Sequence, residues 1–299
     1  MNRPPHAQPD RSSASGPGGS RTALFVSHAA LCAAAFVVLL PFVWLVCSTL
    51  RSGPDFFSSM FLPRGTGLFG VAWDRLTLDN FRALFTTAGF GGSLLNSLFL
   101  ASVTAVLATL VCAMAGYALA RLDFRGRGFI SAIVIGGLVI PPSLLVASGF
   151  RVLFNLHLLD SFAGLIIPAM APAFGVYLFR QAVISSVPRE LLEAARSDGC
   201  GEIRAFFGLV LPLVRPMTAA FLLITFLGVW NNYLTPQIVL QSEGKFPLAV
   251  KIAQMKNVYY QDYGLLMAGT LVSIVPLAGL FLFLQRDFVA GLTSGAIKG

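Results

Sequence analysis

The chain has 299 residues, 56% of them hydrophobic and only 11% charged, with a mean hydropathy of +0.77. A soluble domain is roughly 45–50% apolar and about 25% charged, so an ordinary soluble globule is excluded and a polytopic helical membrane protein is indicated. The net charge of +8 does not indicate nucleic acid, because there is no zinc-finger spacing, basic helix or RNA-binding aromatic signature; the cations cluster at the ends of apolar runs, where they set topology and meet lipid headgroups.

The N-terminal stretch "MNRPPHAQPDRSSASGPGGSRT" is rich in Pro, Gly and Ser and lacks the apolar core of a secretion signal. Residues 1–23 therefore read as a disordered tail. The apolar run that follows is too long for a signal-peptide core and reads as a retained span. A hydropathy window of about 19 residues predicts six spans: 27–50, 93–120, 129–150, 162–183, 217–238 and 263–285. Each is long enough to cross about 30 Å of hydrocarbon as a helix. The expected fold is an all-α integral membrane protein of six transmembrane helices. Its membrane domain covers 24–285, with a C-terminal tail at 286–299. Cys32, Cys47, Cys112 and Cys200 form no CxxC pair and read as small packing residues.

The connections between spans alternate in character. One set is 51–92, 151–161 and 239–262. Lys and Arg divide 13 to 8 in favour of the other, formed by the N-tail, 121–128, 184–216 and the C-tail, with Arg180 at the border of 184–216 counted in it. The short loop "RLDFRGRG" is the most basic of these. The positive-inside rule places this set, and both termini, in the cytoplasm. Prolines recur in the spans at 41, 141, 142, 168, 172, 236 and 276. Each removes an intrahelical hydrogen bond and predicts a kink or an opening. Two readings fit: ordinary irregularity of membrane helices, or a bundle shaped around a pathway.

No Asp, Glu, Lys or Arg lies deep in any predicted span. That argues against a proton-coupled carrier and against a voltage sensor. There is no GxxxxGK[ST], HExxH, GxSxG or Ser-His-Asp set, and the three His have no ligating partner, so no catalytic or metal residues are assigned. Uphill transport by this chain draws its energy from another chain.

Between the fourth and fifth spans runs "SSVPRELLEAARSDGCGEIRAFFGLVLPLVRP". Pro188 suits a first helical position, and Glu190 favours the helix dipole in the first turn. Leu191, Leu192, Ala194 and Ala195 give one apolar face. Asp198 and Gly199 stop the helix, with Gly199 suited to a left-handed turn. A second short helix is expected at about 201–210, ending before Pro212. This charged helix–turn–helix suits either docking into a partner's cleft or simply covering the bundle.

"EAARSDGCGEIRAFFGLVLPLVRP" resembles the EAA motif of ABC-importer permeases, in which EAAxxDG leads to LPLxxP. Glu193, Ala194, Ala195, Asp198, Gly199, Leu211, Pro212 and Pro216 match; Ser197 and Cys200 stand where Ile and Ala are common. "NSLFLASVTAVLATLVCAMAGYALARLDFRGRG" and "QRDFVAGLTSGAIKG" are similar to the second-span region and the ending of the carbohydrate-uptake, maltose-permease-like branch. The resemblance covers nearly everything after residue 24. It implies a type I importer permease fold in the plasma (inner) membrane, with 184–216 as a cytoplasmic coupling loop seated on a separate ATPase. It further implies a second permease subunit forming a heterodimer, two ATP-binding subunits carrying ATP and Mg²⁺, and an extracytoplasmic solute-binding protein that delivers a sugar or related solute. The chain itself is then a transport subunit and not an enzyme. A solitary channel is disfavoured, since polar pore-lining stripes are missing; a scaffold without transport leaves the motif as an adaptor site.

Other candidates are weaker signals. In "WNNYLTPQ", Trp230 and Tyr233 offer ring faces and Asn231 and Asn232 offer amides to a sugar, but an interfacial aromatic belt explains the same residues. Asn96 is a polar candidate for the pathway or for helix–helix hydrogen bonding. The loop 239–262 fits a binding-protein contact or a plain connection. The tail "GLTSGAIKG", with Gly295 and Lys298, is a candidate second contact to the ATPase.

Overall fold

Backbone N–H and C=O groups find no partner in hydrocarbon, so the apolar runs close their hydrogen bonds internally as helices. The computed structural model describes residues 21–255 and 262–296, and among these there is no strand, only an isolated bridge between Arg64 and Val71. In chain order, α1 (Arg21–Thr49) leads through a folded segment carrying α2 (Asp79–Thr86) to α3 (Phe90–Arg121). Then come α4 (Arg127–Gly137), α5 (Val146–Asn155), α6 (Ala163–Ala169) and α7 (Ala173–Ser186). Next are α8 (Arg189–Ser197), α9 (Glu202–Ala205), a π-turn at Phe206–Val210, α10 (Leu211–Leu213) and α11 (Arg215–Trp230). The last three are α12 (Leu234–Val239), α13 (Leu248–Gln254) and α14 (Tyr263–Ala296).

Three helices are long and apolar enough to cross a membrane, and three bent helix pairs bring the number to six if each pair is one span. The first, second and sixth predicted spans are the long helices α1, α3 and α14. The other three are bent pairs. The segment 142–155 turns 102° from α4, α7 turns 40° from α6, and α11 turns 84° from 202–213. Proline explains where breaks fall. A residue before proline is pushed out of the helical region. Pro141, which precedes Pro142, is extended at ψ 128°, and Val187, which precedes Pro188, ends α7 at φ −114°. Single prolines do less: α1 and α14 continue through Pro41 and Pro276. Openings therefore fall at some of the prolines and not at others. One lost hydrogen bond is tolerated, whereas a doubled or boundary proline breaks the run.

α3 is the central post. Its buried face carries Ala101, Ala105, Ala108, Cys112 and Gly116, all small. A Cβ on Gly116 would stand 2.7 Å from the Arg180 backbone nitrogen and the Phe179 Cβ, so glycine lets α7 lie directly on α3. Larger side chains fill the two ends. Tyr117, Phe179, Val187, Leu192 and Phe206 close one, and Leu84, Phe90, Phe226, Trp230 and Leu248 close the other.

The connections sort to the same two ends. At one, Arg121 donates from Nη2 to the carbonyls of Ile184 (3.1 Å) and Val187 (2.5 Å), covering the open end of α7. Arg127 does the same for α3 through Leu119 O (2.9 Å) and Ala120 O (3.2 Å). Cations belong at helix C-termini, so these arginines serve the fold as well as topology. At the other end, Phe56 stacks on Tyr263 with centroids 5.1 Å apart, joining the exit of α1 to the entry of α14. There Asp160, in the α5–α6 loop, accepts from Ser242 N (2.9 Å), Ser242 Oγ (2.6 Å) and Lys245 Nζ (2.8 Å). Helix α14 runs on as far as Ala296, so the span expected to end at 285 has no backbone break there; residues 1–20 lie outside the described part.

Candidate functional site

The "EAARSDG" stretch folds into α8 and a glycine turn at the Arg121 end of the bundle. The sequence starts α8 cleanly, with Pro188 extended as its cap and Glu190 in its first turn. It also stops it cleanly. Gly199 sits at φ +78°, Gly199 N donates to Arg196 O (3.0 Å), and Cys200 N donates to Ala195 O (2.9 Å). These are the paired bonds of a Schellman motif, which uses a left-handed residue to reverse the chain. The expected helix and glycine turn are thus found. The second helix differs from expectation: it does not end before Pro212 but reaches Leu213 through a π-turn at Phe206–Val210. The wider turn shifts the hydrogen-bond register ahead of Pro212, which takes an N-terminal position of α10 where its missing N–H costs nothing.

The two faces of α8 are sharply different. Leu192 is only 2% exposed and packs with Tyr117, Val187 and Phe206. Glu193, Ala194, Asp198 and Gly199 are exposed, Ala195 is half-buried, and a Cβ on Gly199 would meet nothing within 4 Å. Pro216 lies in the first turn of α11, just past the 84° bend. Glu193, Ala194, Asp198 and Gly199 therefore form one open surface on a helix whose buried residue is Leu192. Behind it, Arg196 Nε donates to Glu202 Oε1 (2.7 Å), and the Tyr117 hydroxyl donates to Glu202 Oε2 (2.5 Å). The Arg196 guanidinium, and secondly the Tyr117 hydroxyl, hold the Glu202 carboxyl below its usual range.

A separate cavity of about 600 Å³ opens among α3, α5, α6 and the α11–α12 turn, lined mainly by apolar residues with Thr104, Ser148, Asn232 and Thr235 among them. Of the aromatic–amide run, Asn232 lines this cavity, and its side-chain oxygen accepts from Thr235 N (3.2 Å). Trp230 is 3% exposed and stacked on Phe226 at 5.6 Å, so it packs in the core with no free ring face. Asn231 is exposed and donates to Leu227 O (3.0 Å); Tyr233 is exposed. Asn96 donates to the carbonyls of Gly244 (2.8 Å) and Phe246 (3.3 Å), tying α3 to a loop rather than facing the cavity. Gly295 lies in the last turn of α14, and Lys298 lies outside the described residues. Sequence reading missed Tyr117 and Glu202; the signal available was an acidic residue three positions after the Gly199 turn and six after Arg196, although the first turn of α9 suits an acidic residue in any case.

A family model described as "Binding-protein-dependent transport system inner membrane component" matches residues 112–290. The chain is 38% identical over 270 residues to an arabinooligosaccharides transport system permease protein of Halalkalibacterium halodurans, covering 89% of this chain and 93% of that one. It is 32% identical to a diacetylchitobiose uptake system permease protein of Streptomyces coelicolor (91% and 88% covered). It is 31% identical to a lactose transport system permease protein of Rhizobium radiobacter (91% and 96% covered). Among solved structures, a chain of a bacterial ABC transporter involved in the import of the acidic polysaccharide alginate superimposes with a TM-score of 0.76, at 22% identity, covering 91% of this chain and all of that one.

Proposed function

We propose a coupling mechanism from the premise that the chain belongs to the family of binding-protein-dependent transport system inner membrane components. It is the membrane permease subunit of an ABC importer, a transport component and not an enzyme. On our reading, α8 and the Gly199 turn are the surface that a separate ATPase grips. The observation that carries this is the exposed face of 193–199 set on the buried Leu192 anchor. Movement of that surface biases the bundle between two arrangements, which is how a partner's energy becomes alternating access. The energy comes from ATP hydrolysis on two partner subunits, where Mg²⁺ would assist the phosphoryl transfer. The 84° bend at 214–215 joins the coupling loop to α11, whose far end reaches the cavity at Asn232.

The remaining assignments are inferences of the same kind. The cation-rich Arg121 end faces the cytoplasm, with both termini there, and Gly295 and Lys298 by the C-terminus add a second ATPase contact. The partners are a second permease subunit forming a heterodimer and an extracytoplasmic solute-binding protein. The solute is a sugar or related compound, as the arabinooligosaccharide, diacetylchitobiose and lactose systems of the relatives suggest. An apolar cavity with a few neutral amides and hydroxyls fits an uncharged polyol better than an anion.

The test is purification of the tagged chain from its native membrane in mild detergent. Wild type is expected to bring down an ATPase, a second permease and an exported binding protein. Gly199→Pro cannot hold φ +78°, and Glu193→Lys reverses charge on the exposed face. Both are expected to stay in the membrane with the second permease, lose the ATPase, and lose uptake by about 5- to 150-fold, the usual span of a coupling free energy. Retention of ATPase and uptake by both variants overturns the coupling assignment. The same outcome after deletion of 294–299 overturns the tail contact.

A further inference from the structure

α8 is fastened to the bundle at two points. Leu192 is a peg: it is 2% exposed and sits among Tyr117, Val187 and Phe206. Arg196 lies four residues on, hence on the same helix face one turn away. It donates from Nε to Glu202 Oε1 at 2.7 Å, and the other carboxylate oxygen accepts from the Tyr117 hydroxyl at 2.5 Å. Tyr117 is 4% exposed and belongs to the last turns of α3, the helix on which α7 and α11 pack. A helix held by one apolar peg pivots on it, because apolar contact is non-directional. A second, directional attachment fixes its orientation, and charge-assisted bonds through a bridging carboxylate supply that direction.

We propose that Glu202 and Tyr117 are positioning residues that carry displacement of α8 into α3. This rests on the coupling reading of α8 given above. The ATPase grips Glu193, Ala194, Asp198 and Gly199; Arg196, whose side chain is 41% exposed, reaches from the edge of that surface to Glu202, and Glu202 to Tyr117, and these three form the strut. Without the strut, α8 swivels about Leu192 and its motion is spent locally. With it, α8 and α3 move as one body, and α3 carries Leu100 and Thr104 on the cavity wall. The strut is thus a transmission element, separate from the docking surface.

The experiment uses the assembled complex purified from native membranes, with Cys32, Cys47, Cys112 and Cys200 replaced by alanine. Cavity access is read by the rate at which N-ethylmaleimide labels Ser148→Cys or Asn232→Cys, with and without trapping by ATP and orthovanadate. Trapped nucleotide is measured in parallel. In the wild-type chain, trapping changes the labelling rate. In Tyr117→Phe, which keeps the ring and removes only the bridging hydroxyl, trapped nucleotide stays at the wild-type level while the change in labelling shrinks by roughly 2- to 30-fold. Glu202→Gln, which removes the carboxylate charge facing Arg196, behaves alike, and the double variant is no worse than either single one. Wild-type response in both single variants overturns the strut. So does loss of trapped nucleotide together with response, the pattern expected of Gly199→Pro, because these residues would then belong to docking. Labelling in the wild-type chain that ignores trapping at both cysteines overturns the coupling reading itself.

Discussion

Asp160 shows how a single side chain holds the end of the bundle opposite α8. Its backbone is left-handed at φ +51°, a conformation Asp tolerates better than most residues. That turn aims its carboxylate at Ser242 and Lys245, and Gln241 N also donates to it at 3.0 Å. The Lys245 ammonium, then the Ser242 hydroxyl, hold the carboxyl far below its ordinary range. A carboxylate with a depressed folded pKa stabilises the fold above its unfolded value near 3.9 and loses that stabilisation only as pH falls through the lower folded value. The tie is therefore expected to persist from pH 7 down to about 4.5. Hydrogen exchange of the purified protein in nanodiscs checks this. Asp160→Ala should speed exchange at 241–242, and wild-type protection, corrected for intrinsic rates, should stay flat over that range. Equal exchange in the two proteins would show that backbone geometry alone sets the loop. None of this was legible in the sequence, where "NLHLLDSF" and "LQSEGKF" lie some 80 residues apart and carry no pattern linking them.

At the scale of helices, the six apolar runs and the EAA-like stretch were readable because hydropathy and helix-stop chemistry are local properties. Gly199 at φ +78° after Asp198 is such a case. What local pattern could not supply is how one helix lies on another. The seam of Ala101, Ala105, Ala108, Cys112 and Gly116 recurs every three or four residues, and its purpose appears only once α7 is laid against Ala108, Cys112 and Gly116, and residues of α11, α13 and α14 gather about Ala101 and Ala105. Trp230 failed as a sugar candidate for the same reason: an aromatic near a span end looks alike whether it faces lipid, solute or Phe226. The seam makes a prediction proper to elements. In Gly116→Val, branched methyl carbons meet the Phe179–Arg180 backbone, which cannot move aside as a flexible side-chain tip does. α3 and α7 must separate, at a cost of about 1–3 kcal/mol typical of overpacking. Unfolding of the purified chain by increasing denaturing detergent should shift to correspondingly lower concentration. Gly128→Val, where a Cβ meets nothing within 4 Å, is the matched control. Equal stability of the two variants would mean that the seam is looser than the close approach at Gly116 implies.

The whole molecule is organised by a division between two ends. Loops at 51–89, 156–162 and 231–255 gather at one, and those at 122–126 and 187–214 at the other, the arrangement that six alternating crossings would give. Charge count alone gave this division modest support, because the predicted connections 51–92, 151–161 and 239–262 hold eight cations. Several of those cations are occupied locally. Arg51 is 1% exposed, lies over the Phe56 ring and donates to Phe56 O at 3.0 Å; Arg75 pairs with Asp55; and Lys245 pairs with Asp160. Cations at the other end are occupied as well, Arg121 and Arg127 by helix carbonyls and Arg196 by Glu202, so the 13 to 8 split by itself leaves the orientation to experiment. The orientation has a direct test in intact cells of a strain expressing single-cysteine forms of the chain. Phe69→Cys sits in the 51–89 segment, where Phe69 is 88% exposed, and Ser197→Cys sits at the exposed end of α8. A membrane-impermeant maleimide is expected to label Cys at 69 in whole cells once the outer barrier is opened, and at 197 only after the inner membrane is breached. The opposite pattern would place α8 outside the cell, out of reach of any ATP-driven partner, and would sink the coupling mechanism whatever the strut does. Labelling of both sites from one side would instead deny the odd number of crossings between residues 69 and 197, and with it the reading of the two bent pairs in that interval as spans.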